Sequence, residues 1–205
     1  MILAFAAAAL GCASGAREPD FTAGGVTAVD VRGGALDVTV VGADTDAVSV
    51  TTGLPTDSVF DQHDYSVVHE VKGGTLRLWI EKERLFASAD KGRITVIVPR
   101  GTEVRVETSS GRVTLEGVEG DVDVRSVSGR IRGERVRLTG DSTFSTVSGD
   151  INVGLDTPLD DLRFDLRTIS GIVRVGNLRT HRGLHMGFGD VVVTGSSISG
   201  SIRFE

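Results

Sequence analysis

One cysteine, Cys12, is all the chain has, so no disulfide framework can hold it together and its stability has to come from backbone pairing and apolar packing. Aromatic residues are 5% of the sequence, which favours a thin core over a thick globular one. Positive charge is not in excess: 22 Lys and Arg stand against 28 Asp and Glu, for a net charge of −6. A phosphate backbone needs a basic stripe, so nucleic acid is not expected as a partner. The longest apolar run, residues 1–11 (MILAFAAAALG), is too short to span a bilayer, and beyond it no stretch shows sustained helical periodicity. The nucleophile-elbow pattern GxSxG, the EF-hand spacing and the Gly-rich nonapeptide of calcium-binding repeats are all missing. Glycine, by contrast, is abundant at 27 of 205 residues, which calls for many turns.

Much of that glycine sits in one recurring phrase. SSGRVTL at 109–115 returns as SVSGRI at 126–131, TVSGDINV at 146–153 and TISGIVRV at 168–175, in reduced form as GFGDVVV at 187–193, and as SISGSIRF at 197–204. The anchoring residues Gly111, Gly129, Gly149, Gly171, Gly189 and Gly200 are 18, 20, 22, 18 and 11 residues apart. Self-similarity near 20 residues marks stacked units, none of which can bury its apolar face alone. After each glycine, apolar residues take every second place, as in Val113 and Leu115 or Ile151 and Val153. Period two is a strand signal. A glycine before each strand allows positive φ or close backbone approach at a corner, and a serine there can bond to neighbouring backbone groups. A weaker strand lies between corners, at Val122 and Val124, Val136 and Leu138, Phe164 and Leu166, and Leu184 and Met186.

Two short strands per coil, stacked in parallel columns, predict an all-β chain folded as a parallel β-helix (β-solenoid) with coils of about 20 residues. The crossover sense expected is right-handed. Residues 93–205 would hold the Ser-Gly repeats and 26–92 an N-terminal β cap or irregular coils over the open end, with a hairpin through Lys72-Gly73-Gly74. Residues 84–92 fit a loop or a helical turn, and Pro99-Arg100-Gly101 a turn between two strands.

The first eleven residues suit the apolar core of a signal peptide, and Cys12 directly after Leu10-Gly11 suits a lipobox whose thiol is acylated. The first segment has no Lys or Arg, and the leucine lies two places before the cysteine. The alternatives are an ordinary signal peptide cut near Ala13 or a buried cysteine. On the lipobox reading, residues 1–12 are the lipoprotein signal, 13–25 a flexible tether and 26–205 the folded domain. That makes an exported, membrane-anchored lipoprotein of the bacterial cell envelope.

The run ITVIVPRGTEVRVETSSGRVTLEGVEGDVDVRSVSGRI, with TVSGDINV and TISGIVRV after it, resembles the bacterial family called domain of unknown function 4097 (DUF4097). That family carries an adhesin name and is related to the head domains of autotransporter adhesins. The resemblance extends over about residues 26–205 and implies a β-solenoid in an envelope-associated or exported protein. It supplies no catalytic residues. Arg112 and Arg130 stand where the family has aspartate after the glycine, Ile172 departs at the same place, and Phe188 replaces the serine.

Candidates for chemistry are few. His181 and His185 have the spacing of metal ligands on a helix, but their surroundings read as strand and turn. His63 and His69 have no partner pattern. Asp156, Asp160, Asp161 and Asp165 form an acidic patch that could bind calcium or serve glycoside hydrolysis, though a solvated acidic loop explains it as well. Arg112, Arg130, Arg132, Arg125 and Arg137 could stack into a basic column for an acidic polysaccharide or lipid head group. The blander expectation is a salt-bridged ladder with Glu107, Glu116, Asp121 and Asp123 intervening.

The expectation is therefore a binding module with no cofactor, no metal and no enzymatic activity, meeting the membrane through its lipid and an envelope protein or polysaccharide through its solenoid face. Two other readings stay open: a structural or stress-sensing envelope component acting through a membrane partner, and a polysaccharide-active enzyme on a β-helix.

Overall fold

The computed structural model describes residues 20–53, 65–82 and 92–205. Cys12, residues 1–12 read as the signal, most of 13–25 read as the tether, His63 and most of 84–92, expected as a loop or helical turn, lie outside them. In chain order the N-terminal part holds β1 (Asp20–Gly24), β2 (Ala28–Gly34), β3 (Asp37–Ala43), β4 (Ala47–Gly53), β5 (Tyr65–Lys72), β6 (Thr75–Lys82) and β7 (Arg93–Pro99). The repeats give β8 (Glu103–Thr108), β9 (Val113–Glu116), β10 (Glu119–Gly120), β11 (Val122–Ser126), β12 (Ile131–Leu138), β13 (Ser142–Thr146) and β14 (Ile151–Leu155). After a 3-10 turn at Leu159–Asp161 come β15 (Leu162–Val175), β16 (Leu178–Met186), β17 (Val191–Ser197) and β18 (Ile202–Phe204). Among the described residues the chain is all-β apart from that turn, and the shape is that of a β-solenoid.

The alternation seen in the sequence is the reason. β7 reads exposed and buried by turns from Arg93 to Val98, and β8, β9 and β11 do the same. Each strand thus offers one apolar edge to a shared core. Two columns of mainly parallel strands face each other across it. The first runs β6, β2, β8, β11, β13, β17 and the N-terminal half of β15. The second runs β7, β3, β9, β12, β14, β18 and the C-terminal half of β15. A Ser-Gly corner carries the chain from one column to the other within each repeat coil. Inside lie Val, Ile and Leu columns and three phenylalanines: Phe204 sits 5.5 Å from Phe144 and 5.4 Å from Phe164, ring centre to ring centre.

The coils do not stack in chain order. The last coil, β17–β18, is inserted between β13–β14 and β15, and the β2–β3 coil lies between β6–β7 and β8–β9. Antiparallel strands cause both departures. β16 turns back along the whole of β15 and covers that end, and the chain then re-enters the gap left beside β13–β14. At the other end β5 covers β6 and β4 covers β7, with β1 outermost. Edge strands are thus short or carry charge, which blunts strand addition.

Several expectations change here. Asp20–Gly24, read as tether, is a strand. Val136 and Leu138 are the end of β12 beyond a bulge at Arg135, whose φ is 53°, and not a separate strand. Phe164 and Leu166 share one long strand with the TISGIVRV phrase, and Leu184 and Met186 belong to the antiparallel β16. Gly189 is no Ser-Gly corner: it enters the first column rather than leaving it, packed on the Asp161 carbonyl. The Gly73-Gly74 hairpin forms as expected, with both φ angles positive.

The corner glycines owe their place to close approach and not to φ. A methyl group on Gly129 would overlap the Gly111 carbonyl oxygen, one on Gly149 that of Gly129, one on Gly200 that of Gly149, and one on Gly171 that of Gly200. None of these has positive φ.

Candidate binding surface

Each corner is built from four residues, a buried hydroxyl, an exposed residue, an exposed serine and the glycine. The hydroxyls are Thr108, Ser126, Thr146, Thr168 and Ser197, all buried. They bond upward and sideways: Thr108 Oγ1 donates to the Gly111 carbonyl at 3.1 Å, and Ser126 Oγ accepts from the Gly129 amide at 2.8 Å. Thr146 Oγ1 accepts from Gly149 N at 3.0 Å, while Thr168 Oγ1 donates to the Gly200 carbonyl at 2.9 Å. The serine directly before each glycine, singled out by the sequence, faces solvent instead. The position three before the glycine does the work because only it points inward.

The second corner position is the notable one. It holds Val127, Val147, Ile198 and Ile169, taken in the order of the stacked coils, and these are 52, 41, 47 and 71% exposed. Backbone bonds fix them from coil to coil: Val147 N donates to Val127 O, Ile198 N to Val147 O, and Ser170 N to Ile198 O, at 3.2, 3.2 and 2.9 Å. A rigid stripe of β-branched side chains is thereby held in water, at a cost that no packing in the core requires.

Beside the stripe runs an open groove of about 610 Å³, within the roughly 300–1,000 Å³ typical of ligand sites. Its wall is Val147, Ile198 and Ile169, its floor Ser145 and Ser196, and its far end Arg167 and Arg182. Small side chains open the floor, and the two serine hydroxyls lie 2.9 Å apart. Arg182 is shaped by topology. Four corner residues of β15, 168–171, face one residue of β16, and Arg182 absorbs the mismatch with a φ of 77°.

The first column's outer face shows why the groove lies there. Across the strands, Arg77, Asp30, Arg105 and Asp123 are in register, as are Arg32, Glu107 and Arg125. Signs alternate and the pairs close, Arg105 to Asp123 at 3.4 Å and Arg125 to Asp123 at 3.1 Å. The alternation stops at Ser145 and Ser196, and the groove begins. Beyond it Arg167 holds Asp165 at 3.3 Å.

The expected single basic column is not formed. Arg112, Arg130 and Arg132 lie on the second column, Arg125 on the first and Arg137 past the β12 bulge. Arg130 meets Asp150 at 3.8 Å, Arg132 meets Glu134 at 2.7 Å and Arg137 meets Asp156 at 3.6 Å. Of the acids expected to intervene, Asp123 pairs with Arg125, and Glu107 lies opposite Arg125 in register. The Pro99-Arg100-Gly101 turn carries a further network in which Arg100 bonds Asp44 and Glu119. Hydrogen bonding to Arg100, then its charge, holds the exposed Asp44 carboxyl below the usual carboxylate range.

The acidic patch is dispersed: Asp156 and Asp165 are in ion pairs, while Asp160 and Asp161 belong to the 3-10 turn. His181 and His185 both lie on β16 but face Ile172 and Asp165 on opposite sides of the corner. His69 stacks on Phe21, ring centres 3.8 Å apart. Among the described residues no group of three or more His, Cys, Asp or Glu is arranged to hold a metal.

A family model described as Toastrack DUF4097 matches residues 80–186, which takes in β7 to β16 and stops short of the inserted last coil. The match is narrower than the 26–205 implied by the sequence phrases. A solved structure from Clostridium sporogenes, described as a candidate cell adhesion protein, covers 90% of this chain and 97% of its own at a TM-score of 0.62 and 10% identity. It shares the fold. A candidate adhesin from Bacteroides fragilis (15% identity, 92% and 98% covered, TM-score 0.40) and a candidate lipid-binding protein from Parabacteroides distasonis (15%, 92% and 97%, 0.28) are more distant in shape. No curated protein matches the chain.

Proposed function

The chain belongs to the Toastrack DUF4097 family, and on that premise we propose that it is a non-enzymatic binding module of the bacterial cell envelope, exported and anchored through a lipid on Cys12. Its right-handed solenoid holds a fixed surface away from the membrane, and the corner stripe with its groove is where an envelope protein or polysaccharide docks, as in an adhesin or envelope interaction module. The observation that carries this reading is the stripe itself: four successive coils each place an exposed Val or Ile at the same corner position, tied by backbone bonds, and three of the four line the groove. Stability alone favours a polar residue there. The adhesion name of the Clostridium sporogenes structure is in keeping with the reading.

Two measurements test it. Retention of the purified chain on isolated bacterial envelopes is expected to fall by about tenfold or more in Ile169→Asp/Ile198→Asp, since central anchors carry most binding energy. Both side chains are outside the core, so the melting temperature should hold. Unchanged retention removes the stripe from the site. Mass spectrometry of the native N-terminus, with membrane fractionation, is expected to find an acylated Cys12 in the membrane fraction. An unmodified cysteine in the soluble fraction sinks the lipoprotein part and leaves the binding surface standing.

A further inference from the structure

On the outer face of the second column, five residues fall in one cross-strand row: Arg132, Asn152, Arg203, Arg174 and Arg179, from β12, β14, β18, β15 and β16. Four of the five are arginines. Arg203, Arg174 and Arg179 are consecutive, about 4.8 Å apart from strand to strand. Like charges directly opposite one another destabilise a sheet, and the first column avoids that by alternating signs. This row does not. Arg132 is paired with Glu134, but Arg203, Arg174 and Arg179 make no ion pair among the described residues. Asp150 holds Arg130, and Glu205, next after Phe204, pairs with neither Arg203 nor Arg174. Asn152 offers no relief, since its Oδ1 is buried without a donor. In a chain of net charge −6, three uncompensated cations in line are a local feature and not a by-product of overall composition.

We propose that this row is a second binding surface, separate from the corner groove, and that its occupant is an acidic polysaccharide lying across the strands with its carboxylates on Arg203, Arg174 and Arg179. The guanidinium fork matches a carboxylate in two-point contact. A chain of uronate sugars carries one carboxylate per ring, a repeat of the same order as the strand spacing. A phospholipid surface fits less well: none of the row's five positions carries the apolar side chain that interfacial binding uses. The inserted last coil adds Arg203 to the row beside Arg174, while the β15–β16 hairpin sets Arg174 beside Arg179.

The test is titration of the full chain with polygalacturonate, with dextran as neutral polymer and phosphatidylglycerol vesicles as the anionic membrane. Binding to polygalacturonate, weakening as salt rises, is expected, with none to dextran. Arg174→Gln/Arg179→Gln/Arg203→Gln should weaken it at least tenfold, the scale of losing one charge-assisted contact. Arg105→Gln, in the alternating ladder, should leave it unchanged. The triple variant should melt no lower than the parent, because it removes repulsion. Equal affinity in the triple variant overturns the proposal. So does binding to the vesicles that depends on these arginines without binding to polygalacturonate.

Discussion

Gly149→Ala is expected to lower the melting temperature by about 6–12 °C, the consequence of roughly 3 kcal/mol of overpacking in a domain of this size. Gly149 sits inside the glycine column, between Gly129 on one side and Gly200 on the other. Its new methyl would overlap the Gly129 carbonyl oxygen and come within 2.9 Å of Thr146 Oγ1. Neither neighbour can step aside. The Gly129 carbonyl belongs to a backbone whose strands are in register on both sides, and Thr146 Oγ1 is already bonded to the Gly149 amide. Relief therefore means spreading two coils apart at the corner, where backbone bonds tie them together. Ser148→Ala is the control. That side chain is exposed and next in sequence, and removing its hydroxyl should change stability by no more than about 0.5 kcal/mol. A Gly149→Ala protein that melts within a degree of the parent would show that the column is looser than described.

The corner glycines show how far the sequence could be read and where it stopped. Their recurrence was visible, and so was the need for something small. What was not visible is that the reason is a neighbour's carbonyl oxygen and not a positive φ, because that depends on which coil lies next door. The neighbour of Gly171 is Gly200, 29 residues on, and not Gly149. Linear spacing assumes that adjacent repeats in the chain are adjacent in space, and the antiparallel β16 breaks that assumption by taking the chain past the end of the stack before it returns. The same limit explains the arginines. Arg112, Arg130 and Arg132 follow one another in the repeat, whereas Arg203 joins Arg174 and Arg179 only through the inserted coil. The alternation of signs on the first column was legible in kind, from acids interleaved with bases, and of the nominated partners Glu107 and Asp123 fill that part. Nothing in the local pattern says which of two outward positions on a neighbouring strand will be in register. The apolar corner stripe is in plain sight as the second residue of SVSG, TVSG, TISG and SISG, and nothing in the phrase marks it as exposed. Period two does not separate it, since a corner interrupts the alternation just where Val and Ile stop pointing inward.

The insertion of the last coil also sets the second large effect. Phe204→Ala is expected to cost about 3–5 kcal/mol, and so about 6–20 °C in melting temperature. Phe204 is fully buried, edge-on to Phe144 at 68° and tilted against Phe164 at 52°. The ring fits because β17 has Gly195 on its inner face, flanked in register by Phe144 and Leu166, and Gly195 would touch Leu166 if it had a side chain. A glycine hole and an aromatic knob are thus paired across the two columns. Truncating the knob leaves a void that three large, rigid neighbours cannot collapse to fill, so the cost belongs at the upper part of the range. Because β18 lies between β14 and the second half of β15, the damage should not stay local. Amide exchange is expected to quicken in Ile151–Val153 and Val173–Val175 together with Ile202–Phe204, while Val29–Val31 and Val38–Val40, at the far end of the stack, keep their protection. Phe204→Leu, which restores most of the volume, should recover most of the stability. Faster exchange confined to β18 would mean that β14 and β15 do not depend on the coil between them, and the inserted order would then be a matter of connectivity alone.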